Sequence, residues 1–118
     1  ALRPIDGKPI DVTTGQPMNT ADWATDHIMS RSEIARDPRF ARLTPLQRDA
    51  ILLEVPENYL PLTPEANSSK LNLSVDDWIA ARAANGKPLP TEIVKALRAA
   101  DVRARAAIEA MFNRFLSP

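Results

Sequence analysis

The chain has 118 residues, of which 44% are apolar and 25% charged, and its 15 basic and 15 acidic side chains balance. This length supports a single domain over 1–118 with a modest core, and the apolar content excludes a largely disordered chain. The lack of cysteine excludes a disulfide framework and a thiolate zinc site, and no apolar run approaches the roughly 18 residues of a membrane span or resembles a signal peptide.

Residues 1–20 carry Pro4, Gly7, Pro9, Gly15 and Pro17 between short apolar pieces, which predicts turns and short strands. Trp23 to Ser30 reads as a strand, and Ser32 to Ala41 as a short helix interrupted at Pro38. Thr44-Pro45 pairs a capping hydroxyl with a first-turn proline, predicting a helix through Leu46, Ala50, Ile51 and Leu53 that stops before Pro56. Asn58 to Leu62 reads as a second strand. Thr63-Pro64-Glu65 repeats the helix-start chemistry and places Asn67 and Lys70 on the first turns. Ser74-Val75-Asp76-Asp77 restarts a helix through Trp78 and Ile79, ending at Asn85-Gly86. From Thr91 onward Ile93, Leu97, Ala100, Ala104, Ile108, Met111 and Phe115 step by three and four, describing one face of a long final helix. The expected fold class is α+β: short N-terminal hairpins, two strands with a following helix, and a majority of helix.

Charge is balanced overall but not locally. Between Arg31 and Arg48 lie five arginines, at 31, 36, 39, 42 and 48, against Glu33 and Asp37. The arginine fork matches phosphate well, although a solvated helix face carries arginines of the same kind. The other polar residues that stand out are Asp26-His27, with the only histidine, then Asn58 and Asn67. Hydrolysis of a phosphodiester needs a base to deprotonate water and a cation beside the scissile oxygens. His27 is a candidate base. Asp26 and Asn67 offer a carboxylate and an amide oxygen, an incomplete hard ligand set suited to Mg²⁺ or Mn²⁺. Asn58 is a candidate for holding the imidazole by a hydrogen bond. Each residue alone has an ordinary structural explanation, and it is their order that suggests chemistry. In a strand Asp26 and His27 point to opposite faces, so the strand's end or a twist has to bring both to one phosphate.

Asp26-His27-Ile28, then Asn58-Tyr59-Leu60-Pro61-Leu62, then Asn67-Ser68-Ser69-Lys70 resembles the ββα-metal core of HNH endonucleases, in the variant whose last metal ligand is Asn. The resemblance covers residues 23 to 72. It implies a divalent ion, Mg²⁺ first and Mn²⁺ second, held by Asp26 and Asn67. It also implies His27 as the general base, Asn58 as the residue that positions it, and Lys70 beside the substrate phosphates. Arg31, four residues after His27, joins Lys70 as a candidate substrate contact. The flanking segments are similar to the compact nuclease toxin domains at the C-termini of bacterial polymorphic toxins. That implies a C-terminal piece of a longer secreted effector, acting on nucleic acid in the target-cell cytoplasm and neutralised by a cognate immunity protein. DNA is the expected substrate ahead of RNA.

The chain departs from the family in four respects. Ser30 stands where many members have proline, the zinc-knuckle cysteines are missing, residues 31–57 form a long insert between the strands, and net charge is neutral. The final helix is expected to brace the core in place of the zinc knuckle. Two other readings remain at this point: a helical interaction module whose apolar last helix docks on a partner, and the nuclease piece of a restriction or phage enzyme, which would be cytoplasmic.

Overall fold

The computed structural model describes residues 2–19 and 21–118; Ala1 and Thr20, part of the N-terminal stretch read as turns, lie outside the described residues. The fold is mixed α+β. A minimal hairpin, β1 (Ile10–Asp11) with β2 (Gln16–Pro17), opens the chain. Its turn is closed by Asp11, whose Oδ1 accepts from Thr13 N (2.9 Å) and Thr13 Oγ1 (2.6 Å). Gly15 completes it at φ +77°, a conformation that glycine adopts without a Cβ penalty.

Strand β3 (Ala24–His27) is shorter than the sequence suggests, because Ser30 is not strand. It caps helix α1 (Arg31–Arg36), its hydroxyl accepting from Glu33 N at 3.1 Å. The proline expected to interrupt the next helix ends it: α1 stops, Asp37 caps a fresh start, and Pro38–Arg42 form a 3₁₀ turn. Helix α2 (Pro45–Leu53) begins with a capping box between Thr44 and Gln47 and ends ahead of Pro56. Pro56–Asn58 form another 3₁₀ turn, so the second strand, β4 (Tyr59–Leu62), starts one residue later than expected. Helices α3 (Pro64–Lys70), α4 (Val75–Ala84) and α5 (Thr91–Leu116) complete the chain.

β3 and β4 pair antiparallel, with Ala24 opposite Leu62, Asp26 opposite Leu60 and His27 opposite Tyr59. With α3 following directly, this is a ββα unit whose two strands are separated in sequence by the 31–57 insert. Helices α3 and α4 are tied at their contact. Trp78, fully buried, donates from Nε1 to Ser69 Oγ (2.9 Å), and Arg82 donates to Glu65 Oε1 (2.9 Å) and Ser69 Oγ (3.2 Å).

α5 braces both parts of the molecule. Its first half (Ile93, Leu97, Ala100, Ala104) packs with Ile28, Leu60, Leu62 and Ala66 of the ββα unit and with Trp78. Its second half (Ile108, Phe112) packs instead on the insert, through Ile34, Leu43, Ile51 and Val55. In the last turns Phe112 is the buried aromatic, whereas Met111 and Phe115 are only partly covered. The stripe from Ile93 to Ile108 is therefore internal. Burying each such side chain contributes roughly 1.5–3 kcal/mol. Among the described residues no helix is long and apolar enough to cross a membrane.

Candidate active site at the end of strand β3

Alternation along β3 sends Asp26 and His27 to opposite faces, and the insert and α3 meet them there. His27 shares a face with its cross-strand partner Tyr59; their ring centroids are 5.0 Å apart, tilted by 49°. Both side chains reach the C-terminal end of α2, where the last carbonyls of a helix have no partner within the helix. His27 Nε2 lies 2.9 Å from Leu52 O, and the Tyr59 hydroxyl donates to Leu53 O. A carbonyl oxygen can only accept, so Nε2 carries the proton and the neutral ring leaves its lone pair on Nδ1. Orientation and tautomer of the candidate base are thus set by a main-chain carbonyl of the insert.

Asn58 acts elsewhere than expected. It is buried at 1% exposure, its Oδ1 accepts from Met29 N (2.7 Å), and its Nδ2 donates to Met29 O (2.9 Å). Its own carbonyl accepts from Ile28 N at 2.8 Å. In effect its side chain extends the β3–β4 ladder past the end of the strand. It fixes the chain just after His27 and does not hold the imidazole.

On the other face Lys70 also departs from expectation. A phosphate contact needs an accessible ammonium, but Lys70 is wholly buried. Its Nζ donates to His27 O (2.8 Å) and Leu73 O (3.2 Å) and stands 3.2 Å from Asp26 Oδ2. That carboxylate oxygen is buried and meets the ammonium as an ion pair without the alignment of a hydrogen bond. Asn67 lies one turn before Lys70 on the same side of α3, and its side chain makes no hydrogen bond among the described residues.

The oxygen donors available to a hard divalent cation are few: the Asp26 carboxylate, whose Oδ2 is buried against the Lys70 ammonium, and the amide of Asn67, a sparse set of the kind that Mg²⁺ completes with water and substrate oxygens. Among the described residues no three His, Cys, Asp or Glu side chains cluster as a metal centre, so an ion here would rest on Asp26 and Asn67.

The five arginines divide once their partners are traced. Arg39 is committed: it forks onto Asp37 and, 70 residues away, onto Glu109 at 2.8 and 2.7 Å, over the Phe112 ring. Those bonds hold the Asp37 and Glu109 carboxyls below their ordinary range. Arg48 donates to Phe40 O and Ala41 O. Arg31, Arg36 and Arg42 are exposed and have no protein partner among the described residues. Of these Arg31, the first residue of α1, follows β3 most closely.

A cavity of about 540 Å³ is lined by Trp23, Ile28, Tyr59, Leu60, Pro61 and Ala100 among others, and none of Asp26, His27 or Asn67 lines it. It is a mainly apolar space beneath the N-terminal hairpin, with Glu57 and Arg103 as its charged lining. Comparison of the chain with protein families, curated proteins and solved structures finds no match.

Proposed function

We propose that this domain is a metal-dependent endonuclease of the HNH type that hydrolyses phosphodiester bonds, with DNA as substrate. One observation carries the reading: an imidazole pinned through Nε2 to Leu52 O, with Nδ1 free of protein partners, on a ββα unit whose helix brings Lys70 to the Asp26 carboxylate and carries Asn67 one turn earlier. Because Asp26 and His27 leave β3 on opposite faces, the scissile phosphate has to lie past the end of the strand for both to act on it.

His27 Nδ1 takes a proton from water, the resulting hydroxide forms the new P–O bond, and the opposite ester oxygen leaves and takes up a proton from solvent. Leu52 O accepts the Nε2 hydrogen bond before and after proton uptake, so the ring need not reorient. A divalent ion held by Asp26 and Asn67 would neutralise charge developing on the phosphate and leaving oxygen. Arg31, Arg36 and Arg42 supply the local positive charge that a neutral protein needs to grip a polyanion. A small domain with this chemistry suits the toxic end of a secreted antibacterial effector, with an immunity protein as its partner.

The test is conversion of supercoiled plasmid with Mg²⁺ or Mn²⁺ and with chelator, beside His27→Ala. Chelator should abolish cleavage, and the substitution should lower turnover by roughly 10²–10⁴-fold, the usual worth of a general base. Cleavage at the wild-type rate by a folded His27→Ala protein would overturn the proposal.

A further inference from the structure

Lys70 is the residue whose placement asks for an explanation of its own. A fully buried lysine is uncommon because removing an ammonium from water is costly unless it is paired and hydrogen-bonded. Here two carbonyls hold the ammonium in place, His27 O at 2.8 Å and Leu73 O at 3.2 Å, so it cannot swing away when something else approaches Asp26. Water does not screen it, and its field acts on Asp26 in a medium of lower effective dielectric than solvent. The carboxylate proposed to hold a cation therefore already has its charge matched by a fixed neighbour.

We propose that Lys70 is a positioning residue that neutralises Asp26 in advance and ties it to the backbone of His27. The free protein then binds a divalent cation weakly, and takes it up together with a substrate phosphate. This rests on the nuclease reading. With Lys70 and Asp26 cancelling and Asn67 neutral, the protein offers the ion oxygen atoms but no net charge. A phosphodiester brings the missing negative charge and further oxygen ligands. Because coupling between two ligands is reciprocal, the cation and the nucleic acid raise each other's affinity by the same factor. A Lys70 that merely filled space between β3 and the turn after α3 would affect stability alone.

The experiment is Mn²⁺ titration calorimetry on the free protein, comparing wild type with Lys70→Gln and Lys70→Met after circular dichroism confirms folding. Removing the fixed positive charge should tighten Mn²⁺ binding by at least about tenfold. Adding Asp26→Asn to Lys70→Gln should abolish that gain. A second measurement does not depend on the Lys70 variants folding. The Mn²⁺ affinity of His27→Ala should rise at least about tenfold on adding a short DNA duplex, after subtracting the duplex's own uptake. Equal Mn²⁺ affinity in wild type and folded Lys70 variants, with wild type still cleaving, overturns the role of Lys70 and leaves the nuclease reading standing. An unchanged Mn²⁺ affinity of His27→Ala on adding duplex overturns it equally. A wild type that neither binds Mn²⁺ nor cleaves overturns both.

Discussion

Replacing Asn58 by alanine separates two ways in which one residue can serve a base. In the structure its amide closes two hydrogen bonds on Met29, to N at 2.7 Å and to O at 2.9 Å, at a position 1% exposed. Asn58→Ala removes both partners at once and leaves a buried N–H and C=O with nothing to replace them. An orphaned buried polar group costs about 1–3 kcal/mol, so two give roughly 2–6 kcal/mol, a large part of the 5–15 kcal/mol typical of a domain. For a chain of this size that corresponds to a fall in Tm of roughly 10–20 °C. Asn58→Asp keeps the acceptor for Met29 N but sets a carboxylate oxygen against Met29 O, so it should be no better tolerated.

The assay is a thermal melt beside plasmid cleavage measured well below the variant's midpoint. Activity should fall together with stability, because the chain after His27 is no longer fixed. A melt within about 3 °C of wild type with cleavage lost would refute this account. That result would return Asn58 to the role of holding the imidazole itself.

Other substitutions test separate parts of the structure. Leu71 occupies the first central position of a tight turn closed by Leu73 N to Lys70 O (3.0 Å), at φ 50° and ψ −131°, a region that favours glycine. Its side chain is exposed, so Leu71→Gly should raise stability by about 1 kcal/mol in a melt, and a lower Tm would show that the backbone is unstrained. The Arg39 pairs depress the Asp37 and Glu109 carboxyls, so their contribution is complete above the ordinary carboxylate range, near 3.8 and 4.5, and is lost as pH falls through the depressed folded values. Arg39→Met should therefore lower Tm at pH 7, with the gap to wild type narrowing as pH falls below the ordinary carboxylate range; parallel Tm–pH curves would contradict the assignment. Charge reversal at Arg31 should weaken DNA binding across sequences and reduce the salt slope by about one unit. The same change at Arg39 or Arg48 should act on stability, and an unaltered salt slope for Arg31→Glu would remove it from the interface.

Local chemistry made the helix starts legible. Thr44-Pro45, Thr63-Pro64 and Ser74 each cap the helix they announce, because a hydroxyl before a first turn satisfies amides whatever lies beyond it. The stripe of α5 was legible down to Ile108 and then drifted: four residues on is Phe112, while Met111 and Phe115 flank the buried line. What could not be read were relations between distant groups. Lysine is ordinarily solvated, and nothing near Lys70 in sequence says that two carbonyls, one of them 43 residues away, surround its ammonium. Arg39 looked like its neighbours until Glu109 met it. Leu52 has no chemical signature at all, since it acts through its carbonyl. The only sequence signal was indirect: a helix ending shortly before Pro56 leaves carbonyls in need of donors.

The long insert looked like a departure from a compact ββα nuclease core, yet it contributes directly to the surroundings of His27, the proposed base. Residues 31–57 end in the carbonyls that hold His27 and Tyr59, and they begin with Arg31 beside the end of β3. α2 is fixed by Ile51 against Ile108 and Phe112 of α5, whereas Asp26, Lys70 and Asn67 belong to the sheet and helix that the first half of α5 supports. The base side and the cation side of the proposed site thus rest on different halves of one helix. A zinc knuckle would brace a small core locally; a continuous helix under both clusters also fixes their separation. That separation is the quantity the proposed hydrolysis depends on, because a base and a cation that must both reach one phosphate past the end of β3 tolerate little relative movement.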